Sequence, residues 1–171
     1  MTRPPRWFDR TDRRITEWMA AHGLTLLRLA LGVVFFWFGA LKLFPDASPA
    51  EDLAARTIEA LTLGVVQPSV ALPVLAVWEM AIGVGLFLNR WMRVTLLLLF
   101  VQMLGTITPL FLFPAETWTI FPFVPTLEGQ YIIKNVVLVS AAIVLGATVR
   151  GGELVPEPVS EPQPSDPDPP R

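Results

Sequence analysis

The chain has no cysteine and only one histidine in 171 residues. Without cysteine there is no thiol–disulfide chemistry, no cysteine-ligated iron–sulfur cluster and no thiolate-bound zinc. The one histidine, His22, lies outside the apolar region, which excludes an intramembrane haem held between two histidines. Charge is scarce as well. Charged residues make up 16% of the chain, against roughly 25% in average soluble proteins, and the net charge of −2 leaves no basic footprint for nucleic acid. What the sequence has in excess is apolar residues, 53% of the total. Of its 28 charges, 8 fall in positions 1–23 and 7 in positions 150–171, so the ends are wet and the middle is not.

A helix needs about 20 mostly apolar residues to cross a hydrocarbon core of about 30 Å. Four stretches meet that length: 24–44, 71–88, 94–113 and 131–149. The expected fold is therefore all-α, a four-transmembrane-helix bundle over 24–151. A basic segment, 1–23, precedes it, and a proline-rich acidic tail, 152–171, follows. From Glu153 onward there are seven prolines and five acids with no long apolar run, too little to offset ordering entropy, so the tail is expected to be a solvated, disordered segment. The N-terminal basic region contains acids and is not followed by a small-residue cleavage site, so it is expected to be retained.

Orientation follows from lysine and arginine in the loops. Arg3, Arg6, Arg10, Arg13 and Arg14 precede the first span, Arg90 and Arg93 sit between the second and third, and Arg150 follows the fourth, whereas the other two loops hold Arg56 alone. This predicts both termini in the cytoplasm. In the first outer loop, Ser48, Pro49 and Glu51 spell a capping box with proline at the first helical position. Leu53, Thr57, Ile58 and Leu61 then share one face, and Gly64 supplies a stop. A short amphipathic helix is expected there, on the membrane surface or capping the bundle. The second outer loop carries Trp118, Phe121 and Phe123, which suit an interfacial aromatic belt or a lid.

Ionisable residues inside spans are costly and point to function by default. Four are present: Arg28, Lys42, Glu79 and Lys134. In the first span Arg28, Gly32, Phe35, Gly39 and Lys42 recur at helical spacing on one face, with two glycines that let a neighbour approach closely. In the third span Thr95, Leu99, Gln102, Thr106 and Pro109 form a comparable stripe with groups able to hydrogen-bond across helices. Glu79 has Gly83 one turn away. Arg28 and Lys134 lie near span ends and can snorkel to headgroups. Lys42 leans back into the membrane and Glu79 lies deepest, so neither easily reaches water alone, and their side chains lean toward each other. Glu79 is then either a structural counter-ion or a proton-carrying or ligand-binding carboxylate.

LLRLALGVVFFWFGALKLF at 26–44, LAVWEMAIGVGLFL at 75–88 and TLEGQYIIKNVVLVSAAIVLGATVRG at 126–151 resemble the DoxX-like family of small bacterial and archaeal membrane proteins. The resemblance implies a four-helix, multi-pass protein of the bacterial cell membrane. Some relatives are subunits of quinone-linked complexes such as thiosulfate–quinone oxidoreductase or a terminal quinol oxidase, and others are tied to oxidative or thiol stress. The leading expectation is accordingly an accessory, not independently catalytic, subunit of a quinone-linked redox or oxidative-stress system. The alternatives are a small-solute or proton-coupled permease working through Glu79 and a structural assembly factor. The expected intramembrane polar site comprises Arg28, Lys42, Glu79, Gln102, Thr106, Lys134 and Asn135. No catalytic residue, metal site or covalent cofactor is assigned. Quinone is the expected ligand, with the lipid bilayer, a redox partner protein and further copies of the chain as expected partners.

Overall fold

The computed structural model describes residues 6–44 and 51–155, with side chains from residue 10 onward. It is mostly helical: α1 (Arg6–Leu41), α2 (Glu51–Leu61), α3 (Pro68–Leu88), α4 (Met92–Ile107), α5 (Pro109–Leu112), α6 (Pro114–Thr117) and α7 (Leu127–Thr148). Among the described residues, the departure from an all-helical chain is a two-stranded antiparallel ribbon, β1 (Trp118–Ile120) with β2 (Val124–Pro125).

Among the described residues, four helical stretches are long and apolar enough to cross a membrane: Arg10–Leu41, Pro68–Leu88, Met92–Leu112 and Leu127–Thr148. They form a closed ring in which α1 packs on α3, α3 on α4, α4 on α7 and α7 on α1. The four helices alternate in direction. One end of the bundle therefore carries the chain ends and the α3–α4 turn, and the other carries the two long loops.

The boundaries differ from the sequence expectation for local reasons. The first helix does not begin near residue 24 but runs back unbroken to Arg6, since no proline interrupts it and the single Gly23 is tolerated. The third span runs to Leu112, next to the expected 113, but its helix is interrupted by a turn at Thr108. Pro109 has no N–H to give the Gly105 carbonyl, which instead accepts from the Thr108 backbone N at 3.3 Å and from Thr108 Oγ1 at 2.6 Å. The fourth helix starts at Leu127, four residues before the expected 131, because Thr126 caps it, Oγ1 accepting from Gly129 N at 3.2 Å.

Lipid is as apolar as leucine, so packing and polar contacts, rather than water exclusion, hold spans together. α1 and α3 approach most closely. A Cβ added to Gly83 would lie 2.7 Å from Phe36 N, and one added to Gly39 would lie 2.9 Å from Met80 N. The close-approach role read for Gly39 and Gly83 is thus filled by this one helix pair. Toward the terminal end, Leu31, Phe35, Ile82, Leu86, Leu96, Leu99 and Leu145 form the main core with Ala141 and Ala142. A smaller cluster of Leu53, Leu110 and Ile132 closes the loop end.

The expected loop helix is α2, and it caps the bundle, with Leu53, Ala55 and Thr57 buried. It ends where expected. Gly64 N bonds Glu59 O at 2.8 Å and Leu63 N bonds Ala60 O at 3.3 Å, with Leu63 and Gly64 both at positive φ, a Schellman-type stop. Ser48 and Pro49, read as its cap, and the tail from residue 156 lie outside the described residues.

Candidate functional site

Between the two apolar clusters lies a polar group of three side chains from three spans. Lys42, in the turn that ends α1, places Nζ 2.6 Å from Glu79 Oε2 on α3. Gln102 of α4 donates from Nε2 to Glu79 Oε1 at 2.9 Å. Both carboxylate oxygens are therefore engaged, and both charged side chains are only 11% exposed. Lys42 also reaches the Phe38 carbonyl of its own helix at 3.4 Å. Glycine at position 39 makes this arrangement possible, because a Cβ there would meet Glu79 Cβ at 2.9 Å.

The charges offset one another inside the site. A lysine beside a glutamate, with an amide completing the carboxylate's hydrogen bonding, forms a pair that is neutral as a unit. The polar capacity left beside that pair is the Gln102 amide oxygen and its second amide N–H, with the Thr106 hydroxyl oxygen as an acceptor. Thr106 Oγ1 donates to the Gln102 backbone carbonyl at 3.0 Å, and Thr95 Oγ1 contacts the Trp91 carbonyl at 3.4 Å. Of the polar stripe read on the third span, only Gln102 bonds across helices; these hydroxyls satisfy themselves within their own helix.

This cluster forms one wall of a cavity of about 540 Å³. Lys42, Glu79, Gln102 and Thr106 line it on the polar side, and Leu75, Trp78 and Ile132 are among its apolar walls. α2 lies across its loop end, contributing Leu53, Thr57 and Ile58. Val74 of α3 and Val101 of α4, both exposed, stand at its edge, so the cavity opens sideways through apolar surface. On the terminal side of Glu79, Ile82, Leu86 and Leu99, each 0% exposed, pack in the main core.

Three of the expected site residues lie elsewhere. Arg28 neither snorkels nor joins the cluster. Its Nη1 donates to the Leu86 carbonyl and, at 3.0 Å, to the Phe87 carbonyl, so it caps the C-terminus of α3, where orphan carbonyls and the helix dipole favour a cation. Lys134 is exposed, with Nζ 5.5 Å from the centroid of Tyr131 one turn toward the helix N-terminus, the direction expected for snorkelling. Asn135 is half-buried on the same helix. Neither lines the cavity.

Sequence reasoning missed a second polar group. Arg56 of α2 forks onto Glu116 of α6, with Nη1 2.8 Å from Oε1 and Nη2 2.5 Å from Oε2. Its Nε lies 2.9 Å from Asp52 Oδ2, and its guanidinium stands 5.2 Å from the Phe113 ring centroid. Hydrogen bonds from Arg56 hold the Glu116 carboxyl below the usual carboxylate range. Charge alone gives no hint of it, because the partners lie sixty residues apart. Of the loop aromatics, Trp118 is half-buried and donates from Nε1 to the Leu110 carbonyl at 3.0 Å, while Phe121 and Phe123 are exposed.

Four spans in a closed ring, with a neutralised ion pair and an apolar cavity between them, define a multi-pass membrane protein with an internal polar site. The chain belongs to the DoxX family, whose model matches residues 23–115. That stretch contains Arg28, Lys42, Glu79, Gln102 and Thr106, so the whole polar wall of the cavity lies within it. It ends before α7, and the likeness read at 126–151 lies beyond it. No curated protein and no solved structure matches the chain.

Proposed function

We propose that the chain is an accessory membrane subunit of a quinone-linked redox or oxidative-stress system and that its cavity receives the quinone head from the lipid phase. The supporting observation is the cavity itself: about 540 Å³, apolar-walled, open sideways between α3 and α4, with a few polar groups converging on one wall. A quinone is uncharged and carries carbonyl oxygens that accept hydrogen bonds. Lys42 and Gln102 have N–H groups to meet them, and the neutral Lys42–Glu79 pair presents no net charge that would favour an ion instead. A bound quinone would supply the electron-carrying chemistry; the residues of this chain would bind and orient its head and keep water from it. As an accessory subunit, the chain would leave the exchange of electrons with that quinone to a partner protein.

The permease reading finds less support. A solute path across the bundle would have to pass Ile82, Leu86 and Leu99, which pack without exposed surface on the terminal side of Glu79.

The test is quinone content after purification in native-lipid nanodiscs, compared with Gly105→Phe. Gly105 lines the cavity and a Cβ there meets nothing within 4 Å, so a phenylalanine side chain starts in open space at the cavity wall. Quinone enriched over bulk lipid in the parent, and reduced about tenfold in Gly105→Phe, is the expected result. Equal content in both would overturn the reading.

A further inference from the structure

Among the described residues, α2 is the helix outside the spans that covers the loop end of the cavity, and what fastens it is concentrated in few residues. Its apolar anchorage rests on Leu53, which joins Leu110 and Ile132, and on the buried Ala55, while Leu61, which also lines the cavity, is exposed. Its polar anchorage is concentrated in one residue. Arg56 grips both Glu116 oxygens, touches Asp52 on its own helix and lies over Phe113, so a single side chain ties α2 to the α5–α6 segment. The planar guanidinium fork matches the carboxylate with two parallel bonds, which a lysine cannot do. The contact is nonetheless open to water, the Arg56 and Glu116 side chains being 38% and 43% exposed. Exposed ion pairs hold weakly and exchange readily. Where α2 leads into α3, Leu63 and Gly64 at positive φ form a sharp turn of the kind that serves as a hinge.

We propose that α2 is a hinged cover over the cavity, latched by Arg56 to Glu116, so that the latched cover closes the cavity to water and leaves the α3–α4 side as the ligand's route. The cover's purpose rests on the cavity being a ligand site, but its opening is read without any ligand, so the two can fail separately. The two ways into the cavity differ in chemistry: the lateral opening is apolar and admits lipid-soluble molecules, whereas release of Arg56 would admit water and water-soluble ones.

Because the chain contains no cysteine, a single introduced thiol is the only one present. Gly105→Cys places it on the cavity wall in open space, and Thr106→Cys gives a second position. In nanodiscs, labelling by a charged, membrane-impermeant methanethiosulfonate is measured with Arg56 intact, with Arg56→Gln, and with Arg56→Glu combined with Glu116→Arg. Ala142→Cys, at a position 0% exposed in the main core and away from the cavity, serves as a control that should stay unreactive in all backgrounds and reveals global unfolding if it reacts. The expected result is slow labelling in the parent, labelling about tenfold faster in Arg56→Gln as the open population rises, and slow labelling again in the charge-swapped pair. Equal rates in the parent and Arg56→Gln backgrounds at both cysteine positions would overturn the latch, as would failure of the swap to slow labelling while the protein remains folded. The quinone content of Arg56→Gln does not enter this readout.

Discussion

Lys42 Nζ and Glu79 Oε2 meet at 2.6 Å although their helices enter the bundle from opposite ends. The geometry follows from side-chain direction. Helical side chains lean toward their own N-terminus, so on antiparallel neighbours a lysine late in one and a glutamate midway along the other lean toward the same level. Gly39 removes the side chain that would stand between them, and Gln102 occupies the oxygen that the lysine leaves free.

Breaking that pair should cost more than removing it. Lys42→Met or Glu79→Gln alone leaves its partner buried without full compensation, a loss of about 3–5 kcal/mol in soluble proteins and less where membrane partners rearrange. Both single variants are expected to melt earlier in detergent, and the double variant is expected to lose less than the sum of the two. Strict additivity would mean that the pair contributes no coupling.

Arg28 should behave as a helix cap rather than as a ligand group. Arg28→Gln removes charge-assisted bonds to the Leu86 and Phe87 carbonyls, with a loss of about 1–2 kcal/mol. Amide exchange should quicken around residues 86–90, while quinone content stays at the parent level. A loss of quinone with unchanged exchange there would reassign Arg28 to the site.

Sequence alone carried the four spans, because a long apolar run can satisfy its backbone in lipid only as a helix or a closed barrel. It also carried the Lys42–Glu79 pairing, which needs only helix direction and spacing. It did not carry the fate of Arg28, whose acceptors are backbone carbonyls of another helix and leave no residue-type signature. Nor did it carry Arg56 with Glu116, where loops of no fixed period bring the two together. The early start of α7 is legible in sequence: Thr126 before Glu128 is an N-terminal signal, although the continuous apolar run begins only near Tyr131. The cavity is not legible, since its volume depends on how α2 sits across the bundle.

Two glycines separate packing from propensity. Gly83→Ala would put its Cβ against the Phe36 and Gly32 backbone, 2.7 and 2.9 Å away, where only movement of α1 relieves it; a loss of about 1–3 kcal/mol is expected. Gly105→Ala meets nothing within 4 Å and should be neutral or gain up to about 1 kcal/mol from helix propensity. Detergent melting of the two variants checks the contrast, and an equal loss in both would contradict the close α1–α3 contact.

The loop arginine count predicts that the terminal end of the bundle faces the cytoplasm. Reporter fusions after Arg90 and after Arg150 should then both report cytoplasm, and a fusion at Glu116 should report the opposite side. A split between the first two would contradict the alternation of the four spans, whereas a joint reversal would invert the bundle and leave the fold intact.

The Arg56–Glu116 latch should fail in acid and not in mild base. Hydrogen bonds from Arg56, reinforced by its charge, depress the Glu116 carboxyl below the ordinary glutamate range, and Arg56 itself is raised beyond any accessible pH. A group whose folded-state pKa is depressed stabilises the fold above its unfolded value, and that contribution disappears as pH falls through the folded value. Arginine titration adds nothing in the reachable range. The latch is therefore expected to hold from neutral pH down through mildly acidic conditions and to release only as Glu116 protonates, below where a free glutamate would. Glu116→Gln provides the comparison, because it keeps the side-chain shape but cannot titrate. Melting temperatures of parent and variant should differ at neutral pH and converge in acid, with convergence starting at the free-glutamate range and completing below it. A constant difference across that range would show that Glu116 contributes through something other than its charge, and the latch would then have to lie in the Phe113 and Asp52 contacts of Arg56.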